Sequence, residues 1–262
     1  MWALAGCRSS LVPGVPAPTA DPSAEWQALL GRSLHDSGRV DYDLLRRERA
    51  ALDAYVAWLG DDAGYPEGPA ARFAYWLNAY NALVLFAVLE EGLDLGPAPP
   101  RSVMSVRGWI PVDGAGFFIE RVFRVGGGWY SLWDIEHLAL RGRTLDYRLH
   151  AAISCASVSC PALSSRLYTV SNLESQLDRQ MRRWVRDPER GVRVEGDRVV
   201  LPALFDWFRR DFEFWSGGDD LCTVAAAFAA PDVAGVLRAA SSAGCDPEFA
   251  PYDWSLAALD PP

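Results

Sequence analysis

Ala70-Ala71-Arg72-Phe73-Ala74-Tyr75-Trp76-Leu77-Asn78-Ala79-Tyr80-Asn81-Ala82-Leu83-Val84-Leu85-Phe86-Ala87-Val88-Leu89-Glu90-Glu91 is apolar almost all round. A helix with no polar face has no side to turn to water, so this stretch predicts a central helix buried on most faces. Gly92 ends it, and Pro97, Pro99 and Pro100 mark a loop. Asn78 and Asn81 interrupt the apolar surface, and each buried amide requires partners, because an unpaired one costs about 1–3 kcal/mol.

Outward from that helix, the upstream chain keeps helical spacing over Ala24–Leu34 and Tyr42–Leu59, with Gly60 closing the second run. Downstream the pattern changes. Trp109 to Tyr130 mixes aromatic and β-branched residues with Gly114, Gly116 and Gly126-Gly127-Gly128, which predicts short strands at Phe117–Ile119 and Val122–Val125. Ser131, with Asp134 at N3, reads as the cap of a short helix that buries Ile135, Leu138 and Leu140 and carries Glu136 and His137. Arg148–Ser154 reads as a buried strand running into Cys155-Ala156-Ser157-Val158-Ser159-Cys160-Pro161. Ser171 or Asn172 caps a helix to about Val185, and Val192–Val194 and Val199–Leu201 flank a hairpin turn at Glu195-Gly196-Asp197-Arg198. Helices over about Ala203–Phe212 and Val224–Ala240 complete the chain. Blocks of helix around a few strands predict an α+β fold: a helical N-terminal half whose buried helix packs on a small, mainly antiparallel sheet.

At 262 residues and half hydrophobic, the chain has material for one large core, here assigned to residues 24–262. A net charge of -9 argues against binding a phosphate backbone, so nucleic acid is excluded as a partner. All basic residues are Arg, which rules out lysine Schiff-base and Walker-lysine chemistry. Leu4-Ala5-Gly6-Cys7 resembles a bacterial lipoprotein cleavage site, and Arg8–Ser23 is rich in Pro, Ala and Ser. Residues 1–23 therefore read as an anchor and an extended, disordered tether, with membrane contact only through a lipid on Cys7. That implies a basic and apolar stretch ahead of Leu4 and a place in the periplasm or cell envelope. With Cys7 set aside, Cys222 and Cys245 lie far from any polar motif and read as a bridge or two buried thiols.

The chemistry-bearing residues cluster elsewhere. His137 and His150, two of only three His, stand shortly ahead of Cys155 and Cys160, and Glu136 adjoins His137. A cysteine nucleophile needs a base or charged partner, and the base needs an orienting acceptor, which a Glu or Asn supplies. The same two Cys and two His could instead form a tetrahedral zinc set, although the His pair is too widely separated for a usual zinc motif. A third reading joins Cys155 and Cys160 in a disulfide.

Four segments together resemble the domain-of-unknown-function 547 family: Tyr75–Leu83, Ser131–His137 with Leu140-Arg141, Arg148–Ala152 with Cys155–Leu163, and Tyr252-Asp253-Trp254-Ser255-Leu256. The resemblance runs in order from about Ala70 to the C-terminus. It implies a relation to papain-like and phytochelatin-synthase-like cysteine peptidases, and so a papain-like arrangement and thiol acyl transfer on glutathione or a similar small γ-glutamyl peptide. Carried onto this chain, it makes Cys155 the nucleophile, His137 or His150 the base, and Glu136 or Asn78 the orienter or oxyanion donor, with no cofactor. Ser154 departs from the Asn expected before the cysteine. Both His precede Cys155, the reverse of the papain order, so a rearranged or convergent site is implied. The competing reading is a non-catalytic envelope module whose Cys/His cluster is structural zinc or packed core.

Overall fold

The structure, a computed structural model, describes residues 8–62, 64–95, 102–196 and 198–259. The anchor expected at Cys7, the prolines at 97, 99 and 100, and Asp197 of the hairpin turn lie outside the described residues. Strand β1 (Ser9–Ser10) precedes helices α1 (Ser23–Ser33), α2 (Tyr42–Arg47), α3 (Ala50–Leu59) and α4 (Pro69–Glu90). A π-helical turn at Gly116–Glu120 leads into β2 (Arg121–Val125) and β3 (Gly128–Ser131). Then α5 (Leu132–Asp134), a π-helical stretch over Ile135–Arg141 and α6 (Gly142–Thr144) wind on continuously, followed by α7 (Leu149–Ala152) and α8 (Leu173–Val185). Strands β4 (Arg193–Glu195) and β5 (Arg198–Leu201), helices α9 (Ala203–Trp207), α10 (Arg209–Trp215), α11 (Leu221–Ala226) and α12 (Pro231–Ser242), and strand β6 (Glu248–Phe249) finish an α+β chain.

Helix α4 is the core helix its sequence predicts. Pro69 starts it with φ already helical, and it stops at Gly92, whose φ of +64° lets Leu93 N–H reach Val88 O at 3.0 Å and Gly92 N–H reach Leu89 O at 3.2 Å. By length and hydropathy α4 could cross a membrane, yet it is sheathed by protein along nearly its whole length. Leu77, Leu83, Leu85 and Phe86 have no exposed surface. Each such side chain contributes about 1.5–3 kcal/mol by leaving water.

Two hydrophobic cores result. The larger surrounds α4 and takes in α1 to α3, β2 and the segments around Ile135 and Leu149. The smaller gathers α8 to α12 with the second sheet, around the rings of Trp184, Phe205 and Phe212. Cys222 and Cys245 are bridged by a disulfide within it. Helix α7 straddles the boundary, with Leu149 and Ala152 in the larger core and Ala151 in the smaller.

Several local expectations are corrected. There are two separate three-stranded sheets, β1-β2-β3 and β4-β5-β6, each with one parallel and one antiparallel pair, in place of one mainly antiparallel sheet. Phe117–Ile119 is a helical turn, with Phe117 fully buried and Phe118 set edge-on to it. The strand expected over Arg148–Ser154 holds the short helix α7, because a continuously buried run carries no periodicity to separate strand from helix. Widening of the 135–141 turns carries Leu138 out to 55% exposure, whereas Ile135 and Leu140 are buried as expected. The long helices of the second half are broken pairs: Phe208 divides α9 from α10, and Pro231 begins α12 afresh. The first described residues of the segment read as a tether make contacts with the domain. Ser9 and Ser10 pair with β2, Leu11 N–H donates to Val122 O at 2.9 Å, and Arg8 meets Asp134 at 2.8 Å.

Candidate active site

Two asparagines one turn apart on α4 turn its otherwise hydrocarbon surface into a template for loops. Asn81 Nδ2 donates to Ala152 O at 2.9 Å and its Oδ1 accepts from Ser154 N–H at 3.0 Å, which fixes the backbone as it leaves α7 for Cys155. Asn78 makes the equivalent pair of bonds with the backbone of Tyr168, both at 2.8 Å. Each amide is satisfied at both ends, which the burial of Asn78 demands.

After Cys155 the chain reverses at Ala156, whose φ of +66° puts a non-glycine residue in the left-handed region, at a cost of about 1–2 kcal/mol. The C-terminal segment holds this turn in place. Val158 N–H donates to Ser255 O at 2.8 Å, Ala257 N–H to Ala156 O at 2.8 Å, and Asp253 N–H to Ser159 Oγ at 2.8 Å. The same pairing brings Tyr252 over the loop.

The Cys155 sulfur sits among donors. Cys160 Sγ lies 2.9 Å away, Ser157 Oγ 3.0 Å and Tyr252 Oη 3.2 Å, and Ser157 Oγ and Tyr252 Oη are 2.8 Å apart. Both cysteines are free thiols, so the disulfide reading for this pair is not what the structure holds. Burial raises a thiol's pKa, but here the hydrogen bonds from Cys160, Ser157 and Tyr252 outweigh it and bring Cys155 down to about 6. Cys160 moves the opposite way, pushed well up by burial and by its bond to Cys155. Burial and the neighbouring sulfurs also push Tyr252 well up, so its hydroxyl stays protonated and remains a donor. Cys155 is half-buried and Cys160 buried, which makes Cys155 both the more acidic and the more accessible thiol.

His150 is 3% exposed, stacked on Phe208 at 4.1 Å, with Nε2 bonded to Asp211 Oδ2 at 2.9 Å. Asp211 is itself gripped by Arg141 through Nε at 2.6 Å and Nη2 at 2.9 Å. Burial opposes its ionisation, but the bonds from His150 and Arg141 prevail and hold the Asp211 carboxyl at about 2. Burial lowers the His150 pKa against the pull of Asp211, so the ring is neutral near pH 7. With Nε2 engaged by a carboxylate, Nδ1 is the nitrogen left for the pocket. His137 is held differently: it stacks on Trp133 at 4.4 Å, and its Nδ1 lies 3.1 Å from Trp133 O.

Glu136, His137, His150, Cys155 and Cys160 all line one cavity of about 180 Å³, with aromatic walls from Tyr80, Phe118, Trp207, Phe208, Tyr252 and Trp254. Burial raises the Glu136 carboxyl to about 7, and the Tyr80 hydroxyl is 3.4 Å from its Oε2. The structure thus gathers four of the five sequence-predicted site residues. Asn78 is not among the lining residues, because Tyr168 takes both ends of its amide. A zinc set is not formed: among the described residues, the trio of ligand atoms within 4.8 Å of one another is Asp220, Cys222 and Cys245, two of which share the disulfide. Sequence reasoning missed Asp211, Arg141, Ser157 and Tyr252 as site residues. Asp211 lies in α10 among aromatic residues with no local motif, whereas Tyr252 stood inside a quoted motif and could have been nominated.

Comparison with known families matches residues 68–185 to the family described as "Protein of unknown function, DUF547". No curated protein and no solved structure matches the chain.

Proposed function

Because residues 68–185 match a family whose printed description leaves activity open, we propose from the chain's own geometry that it is a thiol-dependent hydrolase of small peptide amides. The observation that carries the reading is the Cys155 sulfur, surrounded by Cys160, Ser157 and Tyr252, in one cavity with a His150 oriented by Asp211. These are the parts of an activated nucleophile, a base and an orienter.

In the proposed reaction the Cys155 thiolate attacks the amide carbon. The carbonyl electron pair moves onto oxygen, with the Tyr252 hydroxyl as a donor to the developing charge. Collapse of this adduct breaks the C–N bond as a proton drawn from solvent water and relayed by His150 reaches the departing amine, leaving a thioester. A second water then loses a proton to His150, attacks the thioester and releases the acid, the sulfur leaves as thiolate, and His150 gives its proton back to the solvent hydroxide left by the first step. Asp211 keeps its charge throughout, since Arg141 and His150 hold it ionised. The cavity volume suits one or two residues of a peptide, which fits small peptides, γ-glutamyl peptides among them, better than polymers.

The Cys222–Cys245 disulfide supports placing this activity in an oxidising compartment such as the periplasm. An anchor at Cys7 would hold it at the envelope.

Assaying wild type and Cys155→Ser against a library of short peptide amides tests the reading. Hydrolysis by wild type, reduced by at least about 1000-fold in Cys155→Ser with unchanged circular dichroism, is the expected result. Equal turnover by the two proteins would remove Cys155 from the chemistry.

A further inference from the structure

The cavity beside Cys155 carries charge of one sign. Its lining includes a carboxylate, Glu136, and the acidic thiol Cys155, and contains no Arg. Arg141, whose charge is felt by Glu136, is committed to Asp211 in a bidentate pair and packs over the Phe208 ring at 4.9 Å. Glu136 forms no ion pair among the described residues, and its hydrogen-bond partner is the Tyr80 hydroxyl at the long distance of 3.4 Å. A half-buried carboxylate with no ion-pair partner favours a ligand that brings a positive charge to it. The aromatic wall has the same preference. Trp207 stacks with Trp254 at 5.7 Å, and Tyr252 packs against both at 4.7 and 4.5 Å. Such ring faces attract cations. Both histidines of the cavity have lowered pKa values, so neither supplies a positive charge near pH 7.

We propose that this pocket selects a substrate group bearing an ammonium, with Glu136 as the residue that sets the specificity. The inference rests on the reading of the cavity as the substrate site and names the substrate class. The acceptable acyl or amine portion carries a free amino group beside the scissile amide. A ligand with two carboxylates, such as glutathione, meets Glu136 and thiolate repulsion with no cationic side chain in the lining to offset it. Within the γ-glutamyl class this narrows the choice to substrates whose carboxylates are masked or stay outside the cavity.

The test uses two probes of similar shape that contain no amide: phenethylammonium and 3-phenylpropionate. Their binding to the wild-type protein is read by quenching of tryptophan fluorescence at pH 8, where Glu136 is ionised. The expected result is a Kd for the amine at least tenfold below that for the carboxylate. Glu136→Gln should bring the two within about twofold, and Glu136→Asp, which keeps the charge, should retain most of the preference. At pH 6, below the Glu136 value of about 7, the wild-type preference should shrink as the carboxyl protonates. Equal binding of the two probes by wild type, or an undiminished preference in Glu136→Gln, would overturn the assignment. Neither probe can be hydrolysed, so this outcome is independent of the Cys155→Ser assay: either result can fail while the other stands.

Discussion

The two hydrophobic cores handle polar groups in opposite ways. On α4, the buried Asn78 and the half-buried Asn81 are each satisfied by the backbone of a loop. The smaller core's side presents His150 to the cavity and backs it with Asp211 and Arg141, an ionic chain beside the rings of Phe208 and Phe212. A satisfied neutral amide serves as a rigid mount. A buried carboxylate held by two partners instead sets the charge state of its neighbour, which is what chemistry requires. Cys155 stands where the two regions meet, its approach fixed by the first and its base supplied by the second.

Removing the charge from the second region gives the largest expected effect. Asp211→Asn keeps the side-chain shape but no longer dictates the His150 tautomer, so turnover should fall by about 1000-fold or more with Cys155 still present. Steady-state kinetics on the peptide amide that wild type hydrolyses checks this, and a loss below tenfold would show that His150 needs no carboxylate. Stability should respond to pH through the same group. Its carboxyl is depressed to about 2, so its contribution is full above the unfolded value near 4 and is lost as pH falls toward 2. Glu136 acts with the opposite sign: raised to about 7, it stabilises below its unfolded value of 4.5 and loses that contribution as pH rises through 7.

The next effect separates the cores mechanically. The Cys222–Cys245 bridge closes a span of 23 residues inside the smaller core, and its loss should destabilise that core by about 3 kcal/mol. Hydrogen exchange on Cys222→Ser/Cys245→Ser should show faster opening of α11 and α12 and little change in α4. Uniform loosening of both regions would mean that they unfold as one unit.

Much of the first region was legible in the sequence, because an all-round apolar run of that length must be covered on every side, and in this fold protein covers it. Ser131 and Asp134 were legible for a local reason: the capping box forms as read, with Asp134 N–H on Ser131 Oγ at 3.1 Å and Ser131 N–H on Asp134 Oδ2 at 2.9 Å. His150 and Cys155 could be nominated as a cluster from rarity and proximity. Asp211 could not be, since its partner lies 61 positions away and only the tertiary fold makes the bond. The helical α7 was misread for a related reason, because burial by two cores erases the alternation that separates strand from helix.

The smallest predicted effects distinguish the two asparagines. Asn78→Ala and Asn81→Ala should each destabilise by about 1–3 kcal/mol in urea unfolding, from loops left unsatisfied. Only Asn81→Ala should also slow turnover, because only Asn81 holds Ser154 ahead of the nucleophile. Equal kinetic losses would mean that the Tyr168 loop also shapes the site.

The central claim is that hydrogen bonds make Cys155 an acidic nucleophile, and the pH dependence of its alkylation measures this directly. Iodoacetamide labelling of the full chain, quantified peptide by peptide by mass spectrometry, should show Cys155 reacting first, with a rate that rises through a midpoint near pH 6 and levels off by pH 8. Tyr252→Phe and Ser157→Ala should move that midpoint upward. A midpoint at or above the ordinary thiol value of about 8.5, or faster labelling of Cys160 than of Cys155, would contradict it.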